Sequence, residues 1–159
     1  MREEKKHIVA TCAVLSRLIK HEIKIDKHYK LYSTSIIRHV CRDNLCPLSD
    51  IAFSQFSADE MEQFLIFYNK NSILQSIGFN DSSAVYYAFI NKLLLINIDK
   101  TTERICHLLG ISTITLEDIQ YVSNNTNSIP LLPLSVHTTI ENRKSDNVQC
   151  DSFNNKKCI

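Results

Sequence analysis

The sequence predicts an all-α fold: a compact domain of five to seven helices, closed by two short helices about a glycine turn and followed by a polar, disordered tail. Three observations lead there. The 159 residues hold 2 Gly and 3 Pro, too few for the many tight turns of an all-β domain or for the glycine cluster of a dinucleotide or phosphate loop. Hydrophobic residues make up 44% of the chain, enough for one modest core. Apolar positions recur at three- and four-residue steps, the spacing of one helix face. The expected organisation is a helical domain over 1–123, an extended surface segment over 124–137 and a disordered tail over 138–159.

In chain order, Ile8, Cys12, Leu15, Ile19 and Ile23 predict a first helix from about Glu3 to Lys24. Tyr29, Tyr32, Ile36, Ile37 and Val40 predict a second, near Tyr29 to Asp43, with Pro47 forbidding its continuation. Leu45 to Phe56 is a connection with apolar anchors. Ser57 and Glu60 form a capping box, which predicts a third helix that buries Met61, Phe64, Leu65 and Tyr68. Ile73, Leu74 and Ile77 suggest a short helical turn closed by Gly78. A fourth helix, capped by Asp81 and running to about Ile96, is apolar nearly all round and is expected to be the hub of the core. Leu93–Ile98 also fits a short strand, because an apolar run of that length suits either element. Ile129–Leu134 contains two prolines and is expected to be extended. Beyond Thr138 polar residues dominate.

The segment Thr101 to Val122 carries the most specific pattern. Gly110 can take the left-handed conformation that ends a helix. Around it Ile105, Leu109, Ile111, Leu116 and Ile119 occupy inward positions, and Cys106 supplies a small residue where two helices approach. In these positions the segment resembles the helix-turn-helix family. The reading face, however, would be Ser112, Thr113, Ile114, Glu117 and Asp118, without the basic or amide side chains that contact bases and with acids that repel phosphate. A wider stretch, about 57–122, resembles a cyclin-box repeat such as those of cyclins and the B-class general transcription factor. That resemblance implies adaptor work, binding a kinase, a polymerase or DNA. The hub helix departs from it by carrying aromatics where alanines are usual.

Net charge is +1, so no global field selects nucleic acid or membrane. The charge is nevertheless uneven: residues 1–46 hold ten of the 18 Lys and Arg but five of the 17 Asp and Glu. Arg17, Lys20, Lys24 and Lys27 recur at helical spacing as a basic stripe, the candidate contact for nucleic acid or an acidic partner, weighed against an ordinary solvated face. The 6 cysteines are scattered and no secretion signal precedes them, which predicts buried thiols in a reducing compartment, nucleus or cytoplasm. His39, Cys41 and Cys46 have side chains that suit zinc, but a fourth ligand, Cys12 or His7, has no spacing to support it, so no metal is expected. Adjacent Cys106 and His107 diverge by about 100° on a helix and make no nucleophile–base pair.

No cofactor and no catalytic residue is expected. The predicted function is a non-enzymatic interaction or adaptor module of a regulatory or nucleic-acid-associated complex, with protein partners and no membrane. The alternatives are a DNA- or RNA-binding regulator using the basic stripe, and a helical bundle that sequesters a partner helix in an apolar groove.

Overall fold

The computed structural model of the chain describes residues 4–41 and 50–120. It is an α/β domain, not an all-α one. Five strands, β1 (Lys6–Val9), β2 (Tyr29–Thr34), β3 (Ala52–Ser54), β4 (Leu94–Asn97) and β5 (Thr113–Thr115), form one parallel sheet in the order β3-β2-β1-β4-β5. The helices are α1 (Cys12–Lys20), α2 (Ser35–Val40), α3 (Ala58–Lys70), α4 (Gly78–Asn91), α5 (Lys100–Leu109) and α6 (Leu116–Ile119), with a 3-10 turn over Ser72–Ser76.

The central strands explain the architecture. Neighbouring residues of a strand point to opposite faces. Ile8 and Val9 in β1 are both fully buried, as are Leu95 and Ile96 in β4, so both faces of the sheet are covered. That is the condition of a parallel sheet, whose strands read as unbroken apolar runs. α4 packs on β1, β2 and β4 and also touches α1, α2 and α3; it is the hub the sequence predicts. Its Ala84, Val85 and Ala88 join the main core, while Tyr86 packs with Phe56 and Phe64 in a smaller aromatic cluster.

Turn chemistry differs between the two ends of the sheet. Where a strand leads into a helix, a hydroxyl or carboxylate caps it. Thr11 accepts from Val14 at 3.3 Å, Thr34 from Ile37 at 3.4 Å, Asp99 from Thr102 at 2.8 Å and Thr115 from Asp118 at 3.3 Å. Where α1, α4 and α5 lead into the next strand, a left-handed residue follows the helix: Glu22 after α1 (φ 50), Lys92 after α4 (φ 54) and Gly110 after α5 (φ 69). Two of those three positions hold no glycine, so the low glycine count does not exclude an α/β fold.

Several predicted elements are corrected. The first helix of 3–24 is β1 followed by α1: the helical spacing of Ile8 with Cys12 and Leu15 spans a strand and a helix. The second, 29–43, is β2 followed by the short α2, and Val40 is exposed rather than inward. The fourth ends at Asn91, and Leu94–Asn97 is the strand that its apolar run also allowed. Asp81 lies inside the first turn of α4 instead of capping it. The capping box at Ser57 stands, with both hydrogen bonds made, at 3.2 and 2.8 Å, although Leu65 faces solvent.

The closing helix-turn-helix is also corrected. α5, the left-handed Gly110 and the inward Ile105, Cys106, Leu116 and Ile119 are as predicted; Ile111 is buried and Leu109 half-buried. Between the helices, however, Thr113–Thr115 runs as an edge strand hydrogen-bonded to β4, and α6 is one turn long. A strand in the turn removes the crossed helix pair that both the helix-turn-helix and the cyclin-box resemblance require. By contact the chain divides into residues 1–124 and 125–159. The predicted extended segment and tail lie outside the described residues.

Candidate functional site

The strand order creates one special place. From β1 the chain steps outward through β2 to β3, then crosses back to lay β4 on the other side of β1. The connections leaving the C-terminal ends of β1 and β4 therefore diverge, and open α/β sheets take their ligands in the crevice this leaves. Ala10, Thr11 and Cys12 stand on one side of it and Asn97 and Asp99 on the other.

Two carboxylates belong to this crevice. Asp81, half-buried in the first turn of α4, accepts the backbone N–H of Cys12 at 2.7 Å and also that of Ala13, so it holds the start of a helix 69 residues away in sequence. Burial pushes its carboxyl above the usual carboxylate range; the two amides pull it back, and the negative charge of Asp99 pushes it up again. Asp99 is exposed and caps α5, accepting from the Thr102 backbone at 2.8 Å and the Thr102 hydroxyl at 2.9 Å. Its own amide donates to Asn97 Oδ1 at 3.1 Å. The same charges reach the neighbouring thiols. Cys106, buried under α5, is pushed up to about 11, mainly by burial and then by Asp99. Cys41 is pushed up to about 12 by burial first, by its contact with Cys12 next, and also by Asp81.

Beneath the crevice the polar groups are satisfied. Ser33 donates to the Ala10 carbonyl at 2.9 Å, and Thr34 and Ser83 share a hydrogen bond of 2.7 Å. Among the described residues no buried side-chain N or O lacks a partner.

The predicted basic stripe lies elsewhere. α1 leads away from the carboxylates; Arg17 and Lys20 sit in its last turn, and Lys24 and Lys27 follow in the loop that leads to the start of β2. All four are exposed, but the helix ends at Lys20, so they are not one helix face. Beside them Asp26 accepts from His28, whose backbone N–H, at 2.9 Å, is the first cause holding that carboxyl below its usual range.

His39 and Cys41 are described but Cys46 is not, and among the described residues no group of three or more potential ligands gathers for a metal. The sequence alone reads Asp81 and Asp99 as simple helix caps. Asp99 is one; Asp81 caps a helix other than its own. A signal pointing to Asp99 is present in the chain: an acid immediately after the apolar run Leu93–Ile98, where a buried parallel strand would end. Among the described residues no helix is long and apolar enough to cross a membrane.

No protein-family model matches this chain, and no curated protein does. Among solved structures, a PilT N-terminus domain protein from the hyperthermophilic archaeon Sulfolobus solfataricus P2 is similar, with 18% identity, 70% of this chain and 88% of that one covered, and a TM-score of 0.49. The α/β fold rests on the strand register itself and not on that likeness.

Proposed function

We propose that this chain is a non-catalytic binding module of a nucleic-acid-associated complex, and that it takes a phosphate-bearing ligand through a divalent cation held at Asp81 and Asp99. One observation carries the reading: two carboxylates flank the crevice at the point where the strand order reverses. Burial is the main cause that raises Asp81 and the negative charge of Asp99 adds to it, so a cation placed between the two carboxylates offsets both. Magnesium suits such a place, since it is commonly held by one or two carboxylates, several waters and the phosphates of its ligand. The basic residues 17, 20, 24 and 27 supply a second, salt-sensitive contact for the same polyanion, away from the crevice.

Binding without turnover follows from what the acids already do. A two-metal hydrolytic centre clamps both the attacking and the leaving oxygen. Here both carboxylates accept helix amides, and the end of β1 offers Ala10 and Thr11, which carry no charge. The protein-partner half of the reading is supported by apolar side chains left exposed on α3 and α4: Leu65, Ile66, Phe79, Phe89 and Ile90.

Manganese titration of the isotope-labelled protein tests the site. Paramagnetic broadening is expected first at the amides of Cys12, Ala13, Asp81 and Thr102. Broadening spread over surface acids such as Asp59 and Glu117 would remove the proposal. Single-stranded RNA incubated with the protein and manganese should be bound and recovered intact. Cleavage that disappears in Asp81→Asn would overturn the non-catalytic part.

A further inference from the structure

Cys12 opens α1 and Cys41 follows the last residue of α2, 29 positions apart in sequence, yet their Sγ atoms lie 2.8 Å from each other. A disulfide bond is about 2.05 Å long. Each sulfur is positioned by backbone already fixed for other reasons. The Cys12 amide is held by Asp81 at 2.7 Å, and the Cys41 amide donates to the Ile37 carbonyl at 3.0 Å. Cys106, the other described cysteine, is fully buried in the core.

We propose that Cys12 and Cys41 are a reversible oxidation site, a dithiol that closes to a disulfide and ties the start of α1 to the end of α2. The proposal is independent of what the crevice binds. The oxidant is a low-molecular-weight disulfide such as oxidised glutathione. Cys12, half-exposed, is the sulfur such a molecule meets first; Cys41 is buried, and its thiol is held protonated. The Cys12 thiol loses its proton to solvent and its thiolate attacks one sulfur of the oxidant. A mixed disulfide forms and one glutathione thiolate leaves. Cys41 then attacks the Cys12 sulfur while its proton passes to the departing sulfur, so the second glutathione leaves as a thiol. Two protein thiols and one small disulfide become one protein disulfide and two small thiols, and two electrons pass to the oxidant. Asp81 is not displaced, because it holds the amide of Cys12 and not its sulfur.

The test uses the full, reduced chain in graded mixtures of reduced and oxidised glutathione, quenched by alkylation and digested without reduction. The expected result is one linked peptide pair joining Cys12 to Cys41, the loss of two of the 6 free thiols and of two hydrogens from the intact mass, and full reversal by dithiothreitol. The bond should also form in the Cys46→Ser, Cys150→Ser, Cys158→Ser triple variant, and should lose its preference over other pairings in urea. A glutathione adduct that persists on Cys12 without a linked peptide would overturn the proposal, as would Cys41 linked to any other cysteine.

Discussion

At the C-terminal edge of the sheet the polar side chains are committed: Thr11, Thr34, Asp99 and Thr115 each cap a helix, and Asp81 holds the start of α1. Toward the other edge, Lys24 and Lys27 project into solvent from the loop before β2, and Glu22 and Lys92 occupy left-handed turns that favour glycine. The difference follows from helix polarity. A helix start exposes N–H groups and gathers acceptors, whereas a helix end needs a backbone reversal and tolerates many side chains. In a parallel sheet a helix that directly follows a strand starts at one edge, and a helix that directly precedes a strand ends at the other. Acceptors, and with them negative charge, therefore accumulate on one side without being selected for. The carboxylates at the crevice become a binding feature only where two of them are brought within reach of each other.

The largest expected effect breaks the comparison at the acidic edge. Replacing both acids, Asp81→Asn with Asp99→Asn, should abolish manganese broadening of the Cys12 and Thr102 amides. Groups that merely orient the ligands of a metal change its affinity by about 10–100-fold, so removal of both ligands is expected to exceed that range. Retained broadening would place the cation elsewhere. Charge reversal of Arg17, Lys20, Lys24 and Lys27 to Glu addresses the other region. It should weaken binding of single-stranded nucleic acid and flatten its salt dependence by about 0.7 in log–log slope for each phosphate that is no longer neutralised. Manganese broadening at Asp81 should not change; if it does, the two regions are not separate.

A third prediction concerns pH. The Asp81 carboxyl is raised in the folded chain, so the unfolded chain releases this proton first as pH rises. Its contribution to stability is complete below the ordinary carboxylate range and is lost as pH climbs through the raised folded value. Asp81→Asn escapes that loss and keeps an acceptor for the Cys12 amide. Urea unfolding across the acid range should therefore show wild type falling relative to the variant as pH rises, then running parallel to it. A gap that moves in the opposite direction would mean that the amides outweigh burial. The smallest effects lie in the left-handed turns. Lys92→Gly should add about 1 kcal/mol by removing left-handed strain, and Gly110→Ala should cost about 1–2 kcal/mol although nothing lies within 4 Å of the added methyl. Thermal melts of the pair measure both.

Parts of this are legible in the sequence. The capping box at Ser57 and the helix ended by Gly110 depend on neighbours within a few residues and are found in place, as is the hub role of α4, which its nearly all-round apolar sequence announces; the short turn is there too, but Ile77 caps it and Gly78 opens α4. Of the strands only Leu94–Asn97 is, as one of the two readings its apolar run allows. A strand such as Lys6–Val9 is too short to show alternation, and its Ile8 and Val9 join the spacing of the helix beside it. The site is less legible still. Asp81 meets Cys12 only because the chain returns after 69 residues, and Cys41 meets Cys12 only because β1 and β2 are paired; neither fact has a local trace.

The central position of β1 also constrains how the molecule comes into being. Ile8 pairs with Leu31 on one side and with Leu94 on the other, a partner 86 positions further along the chain. During synthesis β1 can dock with β2 early, but its other edge stays open until β4 has emerged. At several to twenty residues per second that wait lasts on the order of ten seconds. Throughout it, a flat apolar edge is available to any other strand, and such edges are where chains aggregate. A chain released before β4 should be insoluble or held by a chaperone, and adding β4 should rescue it.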